Sequence, residues 1–239
     1  MEVSIIITCY NYERYVEKAI LSAINQNFKE EFEVIIVNDG SFDNSQSIID
    51  KYEDFATIYH IENRGLEKAA NYGITKSKGR FFTRLDSDDC LSPNYLKNII
   101  IPVNQNSEIS FVYSDYYEIH SHNIRIKKLP NFNATEILKR GDFLATGTLF
   151  RKDAFSEAGG YNEKEVNCGL ENYELILKMI FQYGMVGFHI DVPLFYYRIH
   201  ESNMSQLRKE RIRWYREKIF TRLGLTDYST NDYNPSNEK

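Results

Sequence analysis

The stretch 84-RLDSDDCLS-92 governs the interpretation of this chain, because it places three aspartates directly after an apolar run. Residues 80–85, RFFTRL, predict the end of a buried strand. Asp86, Asp88 and Asp89 then follow in a short loop. Side chains two positions apart on extended backbone point the same way, so the carboxylates of Asp86 and Asp88 are expected to lie close together on one face.

Such a pair of carboxylates is unfavourable unless a cation joins the two groups. Oxygen ligands select hard cations, so the loop predicts a site for Mg²⁺, Mn²⁺ or Ca²⁺. The alternative is that the acids only turn the chain before a helix that Ser92 caps and Pro93 begins. Capping would use one acid rather than three.

Strand and helix patterns alternate before the aspartates. Runs of β-branched residues without polar alternation are typical of strands buried on both faces of a parallel sheet. In such sheets, binding sites lie outside the carboxyl ends of the strands. The fold class is therefore α/β, and the polar loops 8–11 and 38–41 are expected at one edge of the sheet. The predicted strands are 3–8, 32–37, 56–60 and 80–85, and the predicted helices are 12–25, 45–52 and 66–76.

The Asp39-Gly40 pair has a second interpretation, since Asp-Gly between apolar runs is a strong signal for a β-hairpin turn. The residues after it, 41–52, lack the alternation of a second hairpin strand and have helical character. We therefore expect a loop that leads into a helix.

Composition limits the classes of protein to consider. The chain has 239 residues, enough for one sizeable α/β domain, and its formal net charge of −5 argues against a nucleic-acid partner. Three cysteines without a CxxC pair indicate neither a disulfide framework nor a zinc site, and fit a reducing cytosol. The N-terminal apolar run is too short for a signal peptide, and no stretch is long enough to span a bilayer.

The second half of the chain has a mixed pattern and ends in a basic segment. Residues 205–223 predict a helix with seven Arg or Lys residues against two Glu, which either packs on the acidic body or lies on anionic lipid. A polar tail is expected from about residue 229. The other predicted strands are 109–113, 116–120, 146–151, 186–189 and 194–197, and the other predicted helices are 94–101, 134–139 and 169–181.

Six motifs follow one another along the chain: SIIITCYNYERYVEKAILSAINQ, VIIVNDGSFDNS, ENRGLEKAANYGITKSKG, RLDSDDCLSP, GLENYELILKM and YYRIHESNMS. Together they resemble the motifs of the inverting glycosyltransferase family 2. The resemblance implies a GT-A fold, with a Rossmann-like, mainly parallel sheet flanked by helices and a smaller mixed subregion on the acceptor side. It predicts one domain over 1–204, with a nucleotide-sugar-binding half (1–92) and an acceptor half (93–204), followed by a C-terminal helix and tail (205–239).

The resemblance assigns donor-binding roles to individual residues. Asp39 would accept the ring N–H of the base, usually uracil, and Tyr10 offers an aromatic face to the nucleoside. Asn38 stands where the family often has another Asp, a change that we interpret as tolerated. Tyr10 could instead be ordinary core packing, and Arg64, which matches a position near the donor phosphates, could be a surface residue. The implied nucleotide-sugar-binding residues are Thr8, Tyr10, Asn11, Asp39, Arg64, Asp86, Ser87 and Asp88.

Asp86 and Asp88 match the DxD motif of the family, which binds Mn²⁺ or Mg²⁺. The resemblance adds His200, from the YRIH motif, as a group that closes over the diphosphate or completes the metal site. A divalent ion there would stabilise charge on the leaving nucleotide as a Lewis acid. Without the family, a lone histidine would be interpreted as surface or structural.

The chain departs from the family on the acceptor side. Family members commonly have Glu-Asp at the start of the helix, with the Asp as general base, whereas this chain has Glu171-Asn172. An amide cannot accept the proton, so Glu171 is the predicted base and Glu174 the alternative. Both glutamates could also simply favour the first turn of a helix through its dipole.

The predicted function is metal-dependent, inverting transfer of a sugar from a nucleotide-sugar donor, expected to be a UDP-sugar. The acceptor would be a hydroxyl of a glycan or a lipid-linked sugar, in surface polysaccharide synthesis in the cytoplasm, with peripheral contact to the inner face of the membrane through the C-terminal helix. One alternative is a nucleotide-sugar-binding pseudoenzyme, which Asn172 suggests. A sugar nucleotidyltransferase would need a Gly-rich triphosphate loop after the first strand, and a phosphatase would need an Asp-x-Asp motif earlier in the sheet with a downstream lysine.

Overall fold

The structure is a computed structural model, and it describes residues 1–120, 123–140, 146–201, 203 and 209–225. The strands are β1 (Val3–Cys9), β2 (Phe32–Asp39), β3 (Thr57–Ile61), β4 (Phe81–Asp86), β5 (Cys90–Leu91), β6 (Ile109–Ile119), β7 (Ile124–Lys127), β8 (Leu149–Arg151) and β9 (Val186–Arg198). The helices are α1 (Val16–Ile24), α2 (Ser45–Ile49), α3 (Leu66–Lys76), α4 (Tyr95–Ile99), α5 (Ile101–Gln105), α6 (Ala134–Arg140), α7 (Lys152–Glu157), α8 (Glu171–Phe181) and α9 (Lys209–Leu223).

Strand β1 lies inside the sheet, because its β-branched run is buried along its whole length. It pairs in parallel with β2 and β4, and β2 pairs in parallel with β3. Alternate side chains of β1 enter two separate apolar clusters, with Ile6 on the side of α3 and α8, and Ile5 and Ile7 on the side of α1 and α4. The result is a mainly parallel sheet with helices on both faces, as the sequence predicted.

The second half continues the same sheet. β8 is antiparallel to β4 and β6, and β6 is parallel to β9, so the described strands follow the order β3-β2-β1-β4-β8-β6-β9-β5 with β7 on β6. Short β5, which follows the aspartate loop, pairs with β9 through Cys90 and Tyr196. This pairing brings the carboxyl end of β9 to the carboxyl end of β4.

Several predicted elements differ from the observed ones. The Asp39-Gly40 pair ends β2 and does not form a hairpin, because β2 pairs in parallel with its neighbours. The two predicted strands 186–189 and 194–197 are one strand, β9, with a bulge where Ile190 pairs with Ser114 and Phe195 pairs with Tyr116. β7 was not predicted, because residues 123–130 look only basic and polar in sequence.

Helix α9 packs on the body of the domain. Tyr215, Ile219 and Phe220 are buried in the same cluster as α8, while Trp214 on the opposite face is 47% exposed. Residues 205–208 of the predicted helix and the tail from 229 lie outside the described residues. Of the helices that the structure describes, none has both the length and the apolar character needed to cross a membrane.

Candidate active site

A cleft of about 610 Å³ opens at the carboxyl ends of β1, β2 and β4. Loops from both halves of the chain line it, as expected for binding sites in sheets of this kind. On one side are the loop after β1 and the aspartate loop after β4, and on the other is the N-terminus of α8. Among the predicted site residues, the cleft is lined by Thr8, Tyr10, Asn11, Asp39, Asp86, Ser87, Asp88, Glu171 and Asn172.

The aspartate loop is held by hydrogen bonds to three other elements. The Asp86 N–H donates to Thr146 Oγ1 at 2.9 Å, and Ser87 Oγ donates to the Thr8 carbonyl at 2.6 Å. Asp89 closes the turn through its N–H to the Asp86 carbonyl, and its side chain accepts the Arg198 N–H at 2.8 Å. Asp89 therefore anchors β9 to the loop, while Asp86 and Asp88 remain on the cleft side.

His200 lies beside Asp88, just after the end of β9. His200 Nε2 lies 3.0 Å from Asp88 Oδ2, and the same oxygen accepts a hydrogen bond from Asn203 Nδ2 at 3.2 Å. The imidazole stacks on the Tyr15 ring, with a centroid separation of 5.0 Å. An Asp and a His from positions 112 residues apart thus meet at one edge of the cleft.

The electrostatics of the loop reflect three carboxylates within four residues. Burial raises the pKa of Asp86 to about 6; the Arg84 guanidinium opposes that shift, while the charges of Asp88 and Glu171 add to it. Burial together with Asp88 and Asp86 also raises the pKa of Asp89 well above its ordinary value. The loop therefore carries more negative charge than its protein partners neutralise.

This charge excess and the donor set fit a divalent cation. Asp86 and Asp88 offer oxygen and His200 offers nitrogen, a combination suited to Mn²⁺ and, through the oxygens, to Mg²⁺. Among the described residues, Asp89 Oδ2 is buried without a hydrogen-bond partner, a further sign of uncompensated charge in the loop. The fit rests on the ligand chemistry of Asp86, Asp88 and His200 and on the 3.0 Å contact between Asp88 and His200.

Glu67, Cys168 and Glu171 form a second group of metal-ligating residue types, with ligand atoms within 4.8 Å of one another, but their chemistry is not that of a metal site. Burial and the charges of Glu171 and Glu67 raise the pKa of the Cys168 thiol, so it remains protonated and donates to Glu67 at 3.2 Å. Glu67 also accepts the N–H groups of Asn167 and Cys168. This cluster is a hydrogen-bonded support for the loop before α8, not a set of thiolate and carboxylate ligands.

On the donor side, Asp39 organises the adjoining loop. Its two carboxylate oxygens accept the backbone N–H groups of Arg64 and Gly65, at 2.8 and 2.9 Å. Gly65 has φ +92°, and a Cβ there would approach Val166 to 2.7 Å, so only glycine fits this turn into α3. The Arg64 side chain is not among the residues that line the cleft.

Tyr10 and Asn11 form an exposed rim of the cleft. Tyr10 is 43% exposed and meets Phe42 edge to face at 6.0 Å, so its ring is not core packing. Asn11 has φ +60°, a left-handed conformation that asparagine tolerates, and its Oδ1 accepts the Phe42 N–H at 2.9 Å. These contacts join the loops after β1 and β2.

On the acceptor side, Glu171 and Asn172 line the cleft and have different partners. Arg84 Nη2 lies 2.7 Å from Glu171 Oε1, and Tyr161 OH donates to Asn172 Oδ1 at 2.7 Å. Glu174 lies outside the cleft lining, where it accepts hydrogen bonds from Tyr215 OH and Arg222 Nη1. Of the two glutamates, only Glu171 faces the site.

Sequence reasoning did not identify four residues that shape the site. Arg84 is 2% exposed yet borders the cleft, and Tyr161 lies behind Asn172. Tyr15 and Asn203 hold His200 and Asp88. The signal for Arg84 was present in the sequence, since a charged residue inside a strand otherwise buried requires a buried partner.

Comparison with known proteins identifies the family. The family described as "Glycosyl transferase family 2" matches residues 4–159. An uncharacterized glycosyltransferase of Rickettsia conorii, RC0461, is 30% identical over 216 residues, 85% of this chain and 35% of that protein. The minor teichoic acid biosynthesis protein GgaB of Bacillus subtilis is 28% identical over 236 residues, 91% of this chain and 25% of that protein. The chain spans from 17% to 37% of the length of such relatives.

Solved structures agree in fold. TarS 1–349 of S. aureus, in complex with UDP-GlcNAc, superposes with a TM-score of 0.71 at 20% identity, covering 86% of this chain and 61% of that one. The mannosyltransferase PcManGT of Pyrobaculum calidifontis, in complex with GDP-Man and Mn²⁺, superposes with a TM-score of 0.71 at 14% identity. The match covers 95% of this chain and 65% of that one. From the family match and this likeness of fold, the chain belongs to glycosyl transferase family 2 and has the GT-A fold.

Proposed function

We propose that this chain transfers a sugar from a nucleotide-sugar donor to an acceptor hydroxyl with inversion at the anomeric carbon. One observation carries the proposal: a single cleft brings the aspartate loop of β4 together with a carboxylate at the start of α8. The first group suits a diphosphate and its metal, and the second suits a proton acceptor. Inverting transfer needs these two functions on opposite sides of the sugar.

The proposed donor is a UDP-sugar, with the nucleoside between Tyr10 and Asp39. Tyr10 presents a partly exposed ring at the cleft rim. Each oxygen of Asp39 accepts one backbone N–H, which leaves a lone pair on each for the ring N–H of uracil. Asp39 would select the nucleotide through its contact with the nucleobase. UDP and GDP compounds are therefore compared directly in the test below.

Asp86, Asp88 and His200 would hold Mn²⁺ or Mg²⁺ in the proposed enzyme. A divalent ion there supplies charge stabilisation for the leaving diphosphate. The chain itself contributes the rigid support: Thr146 and Thr8 fix the backbone of the loop, and Asn203 with Tyr15 fixes the Asp88 and His200 pair. Pre-organised groups of this kind lower the cost of reaching the transition state.

Glu171 is the proposed general base. The acceptor oxygen attacks the anomeric carbon, the bond from that carbon to the diphosphate oxygen breaks, and the hydroxyl proton passes to the carboxylate of Glu171. Its Oε1 is bound by Arg84, whereas its buried Oε2 has no hydrogen-bond partner among the residues that the structure describes, so Oε2 is the oxygen left for the proton. Asn172 cannot take this role, because an amide is not basic.

The proposed acceptor is a hydroxyl of a glycan or a lipid-linked sugar in surface polysaccharide synthesis. The relative GgaB is named for teichoic acid biosynthesis, which supports this class of acceptor. Because the chain spans a minority of the length of its curated relatives, the acceptor is inferred for this chain by similarity alone.

The donor site is tested by thermal unfolding with UDP, UDP-GlcNAc, UDP-glucose and GDP-mannose, each with and without Mn²⁺. Ligand that binds the native state stabilises it by about 2.7 kcal/mol when its free concentration is 100 times Kd. We expect metal-dependent stabilisation by UDP compounds in the wild type and its loss in Asp88→Ala.

Asp50→Ala is the matched control, because Asp50 pairs with His60 at 2.9 Å on the surface as Asp88 pairs with His200 in the cleft. The control should keep the full nucleotide effect. If no nucleotide stabilises the wild type, the proposed donor site is wrong. If nucleotide sugars bind but the wild type shows no detectable transfer of sugar to water, the chain is better described as the pseudoenzyme alternative. An unchanged rate in Glu171→Gln would instead reject Glu171 as the base.

A further inference from the structure

We infer that Arg84 is a positioning residue that holds the Glu171 carboxylate in place for proton transfer, by linking it to Asp86 at the start of the aspartate loop. This inference rests on the proposed function. Arg84 would touch neither substrate nor metal. It acts through Glu171, and its role is to fix one oxygen of that group while leaving the other available.

The geometry joins the two sides of the cleft through one nitrogen. Arg84 Nη2 lies 2.7 Å from Glu171 Oε1 and 3.4 Å from Asp86 Oδ1. Arg84 and Asp86 belong to β4, whereas Glu171 begins α8, 87 residues later. A single guanidinium therefore connects the strand that carries the donor-side acids to the helix that carries the proposed base.

The pair is buried, which makes its geometry restrictive. The Arg84 side chain is 2% exposed and that of Glu171 is 8% exposed. A buried ion pair has little water to substitute for a lost partner, so removing one partner leaves an uncompensated charge. In this setting the Glu171 carboxylate has few alternative positions. Arg84 therefore fixes the position of Oε2 before an acceptor binds.

The same guanidinium also reaches the partner of Asn172. Its centre lies 5.7 Å from the centroid of the Tyr161 ring, whose hydroxyl holds Asn172 Oδ1. Cation and ring are within the range of a favourable cation–π contact. Arg84 thus supports both side chains of the Glu171-Asn172 pair, directly for the first and through Tyr161 for the second.

A purely structural arginine exists on the neighbouring strand and provides the control. Arg151, in β8, donates through Nε to the Ile109 carbonyl and through Nη2 to the Val103 carbonyl, at 3.2 and 3.3 Å. Its guanidinium lies 5.1 Å from the Phe81 ring. Like Arg84, Arg151 lies over an aromatic ring, but its hydrogen bonds go to backbone carbonyls instead of carboxylates, and it does not line the cleft.

The test measures UDP release from UDP-glucose and UDP-GlcNAc with water as the acceptor and Mn²⁺ present, in wild type, Arg84→Met, Arg84→Lys, Arg151→Met and Glu171→Gln. Misplacement of a reacting group by about 1 Å can cost roughly 100-fold in rate. We expect kcat of Arg84→Met to fall by about that factor, with donor KM changed by less than about threefold. Arg84→Lys, which keeps the charge, should lie between wild type and Arg84→Met, and Arg151→Met should match the wild type.

A wild-type kcat in Arg84→Met would overturn the inference. So would a parallel rise in donor KM, which would place Arg84 in donor binding, or an equal loss in Arg151→Met, which would indicate general destabilisation. If Arg84→Met does not fold, the comparison of Arg84→Lys with wild type at matched folded fraction decides in its place. If the wild type binds UDP-glucose but releases UDP no faster than Glu171→Gln does, Glu171 is not the base and Arg84 has no positioning role. If the wild type binds no nucleotide, the proposed function itself is wrong.

Discussion

Glu171 and Asn172 are adjacent in the chain, but their side chains are held by different groups. Glu171 is paired with the charged Arg84, and Asn172 with the neutral hydroxyl of Tyr161. A carboxylate at position 172 would add a second acid to the same buried region, where its charge would repel that of Glu171. The arrangement therefore supports one base and one amide rather than two acids.

Asn172→Asp should change the rate of UDP release by less than about tenfold if Glu171 is the base, since a single hydrogen-bonding group contributes about that much. The variant should also unfold at a lower temperature, because the new carboxylate lies close to Glu171. UDP release and thermal unfolding measure the two effects. A gain of 100-fold or more would instead assign the base to position 172.

Glu67 gives a pH dependence of stability. Burial and the nearby Glu171 carboxylate raise its pKa above 4.5, against the hydrogen bonds from the Asn167 and Cys168 N–H groups. For a group with a raised folded-state pKa, the stabilisation is present below the unfolded value and is lost as pH rises through the folded value. The free energy of unfolding should therefore fall as pH increases above about 4.5.

The comparison is urea unfolding of wild type and Glu67→Gln between about pH 4.5 and 7. Glutamine mimics the protonated acid, so the two proteins should be closest in stability at the acid end, and the wild type should lose more stability toward pH 7. Identical slopes for the two proteins would contradict the expectation.

Which site residues could be predicted depended on whether their role follows from a local pattern. Asp39 and Asp86 end strands with recognisable apolar runs, and Asp88 follows Asp86 in the next turn, so their meeting at one edge follows from the rules of parallel sheets. Arg84, Tyr161 and Asn203 act through contacts between residues far apart in sequence, such as the 87-residue separation of Arg84 and Glu171. No periodicity encodes such pairs.

At the scale of elements, α8 and α9 are fastened by a polar cluster rather than by apolar packing alone. Glu174 accepts the Tyr215 hydroxyl and Arg222 Nη1, and Asn162 Nδ2 donates to Tyr215 OH at 3.1 Å. Glu174 is 6% exposed, so loss of its charge leaves donors buried without an equivalent acceptor. This explains why a helix rich in Arg and Lys packs on the domain.

Glu174→Ala should lower the free energy of unfolding by about 1–3 kcal/mol, the usual cost of buried groups left unsatisfied. The rate of UDP release per folded molecule should stay at the wild-type value, because Glu174 does not line the cleft. Urea unfolding and the hydrolysis assay provide the two measurements. A fall in rate with stability unchanged would return Glu174 to the list of candidate bases.

Elements were predictable where burial gives the sequence a clear pattern. β1, β2 and β4 are largely apolar and buried, and all three were predicted. β7 has Ile124 and Ile126 exposed at 60% and 54%, so no burial pattern marks it as a strand. In β9 the bulge after Ile190 interrupts the pairing, which is why its sequence reads as two strands.

At the scale of the whole molecule, the predicted division into residues 1–92 and 93–204 crosses a continuous sheet. β8 comes from the second half and pairs with β4 of the first. Each of the two apolar clusters draws residues from both sides of the boundary, such as Ile6 with Leu177, and Ile5 with Leu194. The two halves therefore share their cores, although they contribute different parts of the cleft.

We predict a single cooperative unfolding transition. Neither half can retain its core without the other, so partial unfolding would expose apolar surface from both. Urea unfolding followed by far-UV circular dichroism and by the fluorescence of Trp214 should give the same midpoint. Two separated transitions would contradict the prediction, because they would show that the chain does not unfold as one unit.

The three cysteines differ in how far each is open to solvent. Cys9 and Cys168 are buried, at 2% and 1% exposure, while Cys90 is partly exposed at the start of β5, directly after the aspartate loop. Burial raises the pKa of the Cys90 thiol, so alkylation will be slow at neutral pH and faster in mildly alkaline buffer. A maleimide fluorophore should therefore attach at one place without prior mutagenesis, and its emission would report events at the edge of the cleft in real time.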